Sequence, residues 1–367
     1  MRTPRRCALL VSVFALLAAF ASPATAGTVV PPGFQPASTS WTGPDTGYVL
    51  GYWPCAKSWC PALLGTTDAG RHWRRLGAPP VPLPDNHNHV ALRAFGDRVA
   101  YVSDGVHVRT TRDGGKTWQP VVLAGAREPY YLSKIAETGG RVFALLTTYG
   151  EGRGSTRLYS ATAGSPVLVL VPVPGFAVTG SLTYGDLAVG GGLQIALGAD
   201  YGTEQYWTSR DGARFTPADP PCPEGAVASL AGVRERQVVA LCSSGPGSPR
   251  PGSTERLLRH APQLGARFDD DGAAPFAGIN QGFAAASPTS AAVAAVGGGV
   301  GFLHTTADGG RTWTTFELPD RGFALTDLDF PGRGTGVVVD GQPDAEGGSA
   351  VYRTTDGGRS WRELRFG

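Results

Sequence analysis

The chain has 367 residues, 53 of them glycine and 30 proline, while only 17% are charged. This composition favours many turns and short strands over long helices, and no stretch sustains a helical period. Without its first 26 residues the chain keeps 29 basic against 30 acidic residues, a formal charge of −1. That excludes the basic footprint of a nucleic-acid binder or of a protein held on an anionic membrane.

In chain order, the first element is a leader. Arg2, Arg5 and Arg6 precede an apolar run from Ala8 to Phe20, and Ala24-Thr25-Ala26 offers small residues for cleavage. This is the layout of a secretory signal peptide over residues 1–26, and the run is short for a membrane span. Export is expected, with the product secreted and without membrane insertion. Scarce lysine against arginine points to a GC-rich bacterial source. Four cysteines follow the leader, and an even count in an exported chain reads as two disulfides. Cys55 with Cys60 and Cys222 with Cys242 are the natural pairs.

From residue 66 onward one turn recurs, Thr-x-Asp-x-Gly-x-x-Trp. It appears at Thr66–Trp73, within Thr110–Trp118 and Thr305–Trp313, and at Thr354–Trp361; Thr208–Phe215 is the same turn with Phe for Trp. The acidic residues are Asp68, Asp113, Asp211, Asp308 and Asp356, with gaps of 45, 98, 97 and 48 residues. The two wide gaps are each about twice the narrow ones, so two worn units are expected, near Thr162 and near Leu264. Seven units then fill residues 27–367. Around each box lie four strand-like runs: Val90–Phe95, Val99–Val102, Val106–Thr111 and Trp118–Leu123 in unit two, and Leu325–Phe330, Gly336–Val339, Ala350–Thr355 and Trp361–Phe366 in unit seven. Four short strands per unit predict a single all-β domain, a seven-bladed β-propeller, with six blades as the alternative count.

The box chemistry is structural. Its Asp accepts turn amides, its Gly takes left-handed backbone angles, and Trp73, Trp118, Phe215, Trp313 or Trp361 supplies an apolar face between units. No box Asp is expected to be catalytic. These repeated boxes resemble the Asp-box (BNR) propeller superfamily, which includes sialidases, sortilin-type receptors and photosystem II assembly-factor-like secreted propellers. The resemblance covers nearly all of residues 34–367 and implies fold rather than function. It does not extend to a sialidase site: the first strand, Gly33–Ser38, has no arginine, and none occurs between Arg6 and Arg71.

If the boxes join strands C and D, counted outward from the axis, then the longer connections gather on the opposite face. They include Trp53–Ala62, Gly77–His89, Tyr149–Thr156, Asp200–Gln205, Ser243–Glu255 and Asp269–Ile279. Such loops read as a binding surface. The candidate ligand-facing residues are His87 and His89 at the mouth of unit two, Arg93 on its inner strand, the Tyr130-Tyr131 pair, and Tyr201 with Glu204 and Trp207. Aromatic platforms beside carboxylates suit a carbohydrate or peptide. No nucleophile elbow, phosphate loop or full metal-ligand set is present, so no cofactor and no metal are expected. The reading is a secreted, non-enzymatic, monomeric binder of a protein or glycan; the alternative is a divergent sialidase-like glycoside hydrolase.

Overall fold

The computed structural model describes residues 29–366, apart from 85–88, 127–129, 151–152, 177, 181–182, 200–201, 234–236, 245–254, 320, 322–323 and 333. The leader and His87 lie outside the described residues, as does Tyr201; of Tyr130 only the backbone is described.

Seven antiparallel sheets follow one another around a ring. Blade 1 is β1 (Gln35–Trp41), β2 (Gly47–Cys55), β3 (Ser58–Thr66) and β4 (Arg74–Leu76). Blade 2 is β5 (Ala91–Phe95), β6 (Val99–Ser103), β7 (Val108–Thr111) and β8 (Gln119–Pro120), after which comes β9 (Val122–Ala124). Blade 3 is β10 (Tyr130–Thr138), β11 (Arg141–Gly150), β12 (Arg153–Thr162) and β13 (Val167–Leu170), with β14 (Thr179–Gly180) as a short addition. Blade 4 is β15 (Thr183–Val189), β16 (Leu193–Ala199), β17 (Gly202–Ser209) and β18 (Thr216–Ala218). Blade 5 is β19 (Ala226–Gly232), β20 (Val238–Ser244), β21 (Arg256–Ala261) and β22 (Asp269–Ala274). Blade 6 is β23 (Ile279–Ser287), β24 (Ser290–Gly297), β25 (Val300–Thr306) and β26 (Thr314–Leu318). Blade 7 is β27 (Leu325–Gly332), β28 (Thr335–Gly341), β29 (Ser349–Thr354) and β30 (Arg362–Glu363). This is a seven-bladed β-propeller, as the repeat spacing requires, and both worn units fall in C–D turns, at 163–166 and 262–268.

The core is a set of layers between neighbouring blades, because a four-stranded sheet has two faces to cover and no other partner. Tyr48, Leu50 and Leu63 of blade 1 meet Leu92 and Val102 of blade 2. Leu145 and Leu158 of blade 3 meet Leu187 and Ile195 of blade 4. Leu303 and Leu318 of blade 6 meet Phe330, Val338 and Trp361 of blade 7. Each box aromatic packs backwards onto the preceding blade: Trp73 onto blade 7, Trp118 onto blade 1, Phe215 onto blade 3, Trp313 onto blade 5 and Trp361 onto blade 6. The worn turn at 262–268 keeps this feature, since Phe268 lies edge-on to Tyr206 of blade 4 at 5.8 Å.

Among the described residues the ring closes without an exchanged strand. Blade 1 comes wholly from the N-terminal part and blade 7 wholly from the C-terminal part. Phe366 fills the seam, 5.1 Å from the Phe34 ring and 5.0 Å from the Trp73 ring.

One strand departs from the expected unit. The run Trp118–Leu123 is not a single outer strand of blade 2: Val122–Ala124 pair in parallel with Val167–Val169 of blade 3. Successive amides of an extended chain point to opposite sides. Val121 N–H therefore reaches Val108 of blade 2, while Val122 N–H reaches Pro166 of blade 3.

Candidate functional site

The box turns come first, because they set which face is free. In the turn at Asp113, Oδ1 accepts the amides of Lys116 (3.0 Å) and Thr117 (2.9 Å), and Oδ2 accepts the Thr117 hydroxyl (2.6 Å). Asp68, Asp308 and Asp356 repeat the arrangement with His72, Thr312 and Ser360. The preceding threonine, read from the sequence only as a strand residue, closes the turn from the other end. Thr111 Oγ1 donates to Asp113 (2.8 Å) and accepts the Gly115 amide (3.0 Å). Gly115 has φ +81°, and a Cβ there would press on Leu63 of blade 1. The turn at Asp211 is one residue shorter: its carboxylate takes the amides of Ala213 (2.9 Å) and Arg214 (2.8 Å).

Such donors stabilise the charged carboxylate and lower its pKa. The Thr312 hydroxyl, then its amide, holds Asp308 down to about 2. At Asp356 slight burial pushes upward, and the Ser360 hydroxyl and amide overcome it, again to about 2. Asp68, Asp113 and Asp211 are also held below the carboxylate range by their turn donors. A carboxylate this committed to its own turn has no proton to exchange at neutral pH.

The inner strands line an axial channel of about 260 Å³. Each is the edge of its blade, so its inward amides need acceptors. Polar side chains of neighbouring inner strands supply them. Ser38 and Ser40 of blade 1 accept the amides of Leu92 (2.8 Å) and Ala94 (2.9 Å) of blade 2. Asp327 of blade 7 accepts the Thr39 amide (2.9 Å) and the Ser38 hydroxyl of blade 1, and its other oxygen pairs with Arg93 of blade 2 at 2.8 Å. One carboxylate thus ties three blades. On the far side, Asp186 of blade 4 pairs with Lys134 of blade 3 (3.0 Å) and accepts the Leu230 amide of blade 5 (2.7 Å). Asp327 takes a left-handed backbone conformation, φ +53°, at a break in the β27–β28 register.

Arg93 therefore stands in the channel, and its charge is spent on Asp327 rather than held ready for a ligand. Burial works against that charge, but Asp327 outweighs it and lifts the Arg93 pKa. Asp329, two residues on, is open to channel water, yet the protein packed around it pushes its carboxyl above the usual range, against the pull of Arg93. Among the described residues, the channel lining holds one arginine and no tyrosine or glutamate. Among them, too, no three His, Cys, Asp or Glu side chains are placed to share a metal. The acidic run Asp269–Asp271 is strand β22, not loop. Asp270 pairs with Arg259 and Asp271 with His260, each at 2.6 Å.

The face opposite the boxes is built differently from the loops expected there. Trp53–Ala62 is a β-hairpin paired to its tip, with Cys55 opposite Ser58 and Cys60 opposite Trp53. Tyr149–Gly150 pair with Arg153–Gly154, and the start of β17 is also paired strand. Both disulfides, Cys55–Cys60 and Cys222–Cys242, form and brace this face. His89, Tyr131 and Glu204 are exposed there. Trp207 is not: its strand position turns it into the core between blades 3 and 4, beside Phe176 at 6.0 Å, and its indole N–H donates to Gln205 (2.9 Å). Two residues of the expected Asp269–Ile279 connection stand out, although the sequence did not single them out: Phe276, between blades 5 and 6, and Ile279, which opens β23, are 73% and 72% exposed.

No family model matches the chain, and no curated protein does. Several solved structures share its fold. YCF48 bound to a D1 peptide is 14% identical, covering 89% of this chain and 95% of that one, with a TM-score of 0.53. A polysaccharide lyase of family PL25, an ulvan lyase, is 10% identical over 92% and 97% of the two chains, with a TM-score of 0.56. An oligogalacturonate lyase in complex with manganese is 10% identical over 84% and 86%, with a TM-score of 0.51. These likenesses show the seven-bladed ring, which carries binders and enzymes alike.

Proposed function

We propose that the chain is an exported, non-enzymatic propeller that binds a protein or glycan through the face opposite its box turns. The observation that carries this reading is the channel. Its cations and two of its carboxylates bond to one another and to strand amides, joining blades instead of awaiting a substrate. A retaining or inverting glycosidase needs a pair of carboxyl groups facing one sugar, and among the described carboxylates lining this channel only Asp329 is not bonded to another blade. The five boxes support membership of the Asp-box superfamily, and the leader and two disulfides support export. YCF48 bound to a D1 peptide and an ulvan lyase, both similar in fold, support a protein or a glycan as the ligand class.

The test has two arms. The purified chain is applied to a glycan array and to the secreted proteins of its source, and it is assayed on fluorogenic glycosides and uronate polymers. Binding without turnover, weakened by Glu204→Ala and unaffected by Thr312→Ala on the box face, is expected. Hydrolysis of a fluorogenic glycoside that disappears in Asp329→Asn would instead establish the hydrolase alternative, with Asp329 as its acid.

A further inference from the structure

The Pro275–Gly278 connection, followed by Ile279 at the start of β23, links β22 of blade 5 to blade 6 on the face opposite the boxes. A loop with two large apolar side chains in water would ordinarily fold them under. This one is held open from beneath. Arg256 of β21 is 3% exposed, and its guanidinium carries no acidic partner in the loop. Instead Nη1 donates to the carbonyls of Pro275 (2.5 Å) and Ala277 (3.1 Å), and Nη2 donates to that of Gly278. His304 of blade 6, also buried, donates from Nε2 to Ala277 O (3.1 Å) and accepts the Thr315 hydroxyl at Nδ1 (2.8 Å). Burial lowers the His304 pKa, which keeps the ring neutral and this bonding pattern in place at pH 7. Gly278 completes the cradle: its φ is +75°, and a Cβ would meet Val296 N at 2.9 Å.

We propose that this loop is the anchor of the ligand face, and that its ligand is a protein presenting an uncharged, apolar pocket. The inference rests on the reading of that face as the binding surface and names its partner class. Two observations favour protein over sugar. Three of the loop carbonyls that sugar hydroxyls would use point inward and are taken. No charged residue occurs from Ala273 to Gly282, so a complementary surface is itself uncharged. Two such side chains expose on the order of 250 Å², about a third of what a stable interface takes from each partner, so they form the centre of a contact rather than the whole of it. Rigid, protruding aromatic anchors at the centre of a larger contact are where binding energy concentrates, since little ordering is left to be done on binding.

The experiment isolates the protein captured from the secreted fraction on the immobilised chain, produces it pure, and titrates it against wild type and variants. Phe276→Ala and Ile279→Ala, both on exposed side chains, are expected to weaken binding at least ten-fold with thermal midpoints unchanged. Arg256→Gln is expected to weaken it with Phe276 still present and to speed amide exchange over 275–279. A partner indifferent to 276 and 279 but sensitive to Tyr131→Ala or Glu204→Ala overturns the anchor and leaves the face reading standing. Glycans as the only ligands overturn the partner class. Sensitivity confined to the box-face change Thr312→Ala, or no ligand of either kind, overturns the face reading itself.

Discussion

Asp327→Ala is the substitution that most directly asks whether the channel charges are structural. It removes the acceptor of the Thr39 amide, which lies in a residue only 3% exposed. An orphaned buried amide costs about 1–3 kcal/mol. The Ser38 hydroxyl loses its acceptor but keeps the Leu92 amide, for about 1 kcal/mol. Arg93 keeps its bond to Leu92 O (2.6 Å) and is one-third open to water, so losing its partner adds at most about 1 kcal/mol. The sum is about 2–5 kcal/mol, read as a fall in the denaturant midpoint. Two companions separate side chain from backbone. Asp327→Asn keeps an acceptor oxygen and is expected to cost about 1–2 kcal/mol. Asp327→Gly loses the carboxylate but relieves the left-handed conformation, so it is expected to be about 1 kcal/mol milder than alanine. A carboxylate kept for catalysis behaves oppositely, since removing it commonly leaves stability unchanged or higher. Stability of Asp327→Ala equal to wild type would refute the reasoning.

Trp361, 4% exposed between blades 6 and 7, is expected to cost about 3–5 kcal/mol as Trp361→Ala and clearly less as Trp361→Phe, measured by chemical unfolding. Stability is expected to fall between about pH 4 and pH 2. Asp308 and Asp356 titrate near 2 when folded and near 3.9 when unfolded, so on acidification the unfolded chain takes up protons first; thermal midpoints across that range, flattened by Asp308→Asn with Asp356→Asn, check this. Loop-closure entropy gives about 3 kcal/mol for Cys222–Cys242, spanning 20 residues, and about 2 kcal/mol for Cys55–Cys60, spanning 5. Cys222→Ser with Cys242→Ser is therefore expected to lower the thermal midpoint more than Cys55→Ser with Cys60→Ser.

The ring was legible in the sequence because its signal is local. A box turn uses donors within four residues of its Asp, so each copy announces a C–D hairpin and fixes the phase of the strands around it. Even the worn turn before Asp269 kept its aromatic, Phe268, for the same packing reason. The channel was not legible. Asp327 and Ser38 lie 289 residues apart and meet only when the ring closes, so no spacing within one unit reveals them. A weaker signal existed: Ser38, Ser40, Arg93, Lys134, Asp186 and Asp327 are all polar residues on the first strand of a unit, where an apolar core would place none. Arg93 was found, but as a ligand contact, because its partner was out of view. Trp207 was misplaced by the alternation of its strand, which turns it inward beside Phe176. Phe276 and Ile279 escaped because an exposed apolar residue is recognised only by its surroundings, and Arg256, which holds their loop, lies 20 residues upstream.

Blocking each face in turn tests the account at its centre. Glu204→Cys and Lys116→Cys place single thiols on opposite faces, and coupling a large polyethylene glycol to either occludes that face without altering the ring. The account predicts that the Glu204→Cys conjugate loses the ligand found for the wild-type chain while the Lys116→Cys conjugate binds it normally. Loss of binding only when the box face is covered would contradict it.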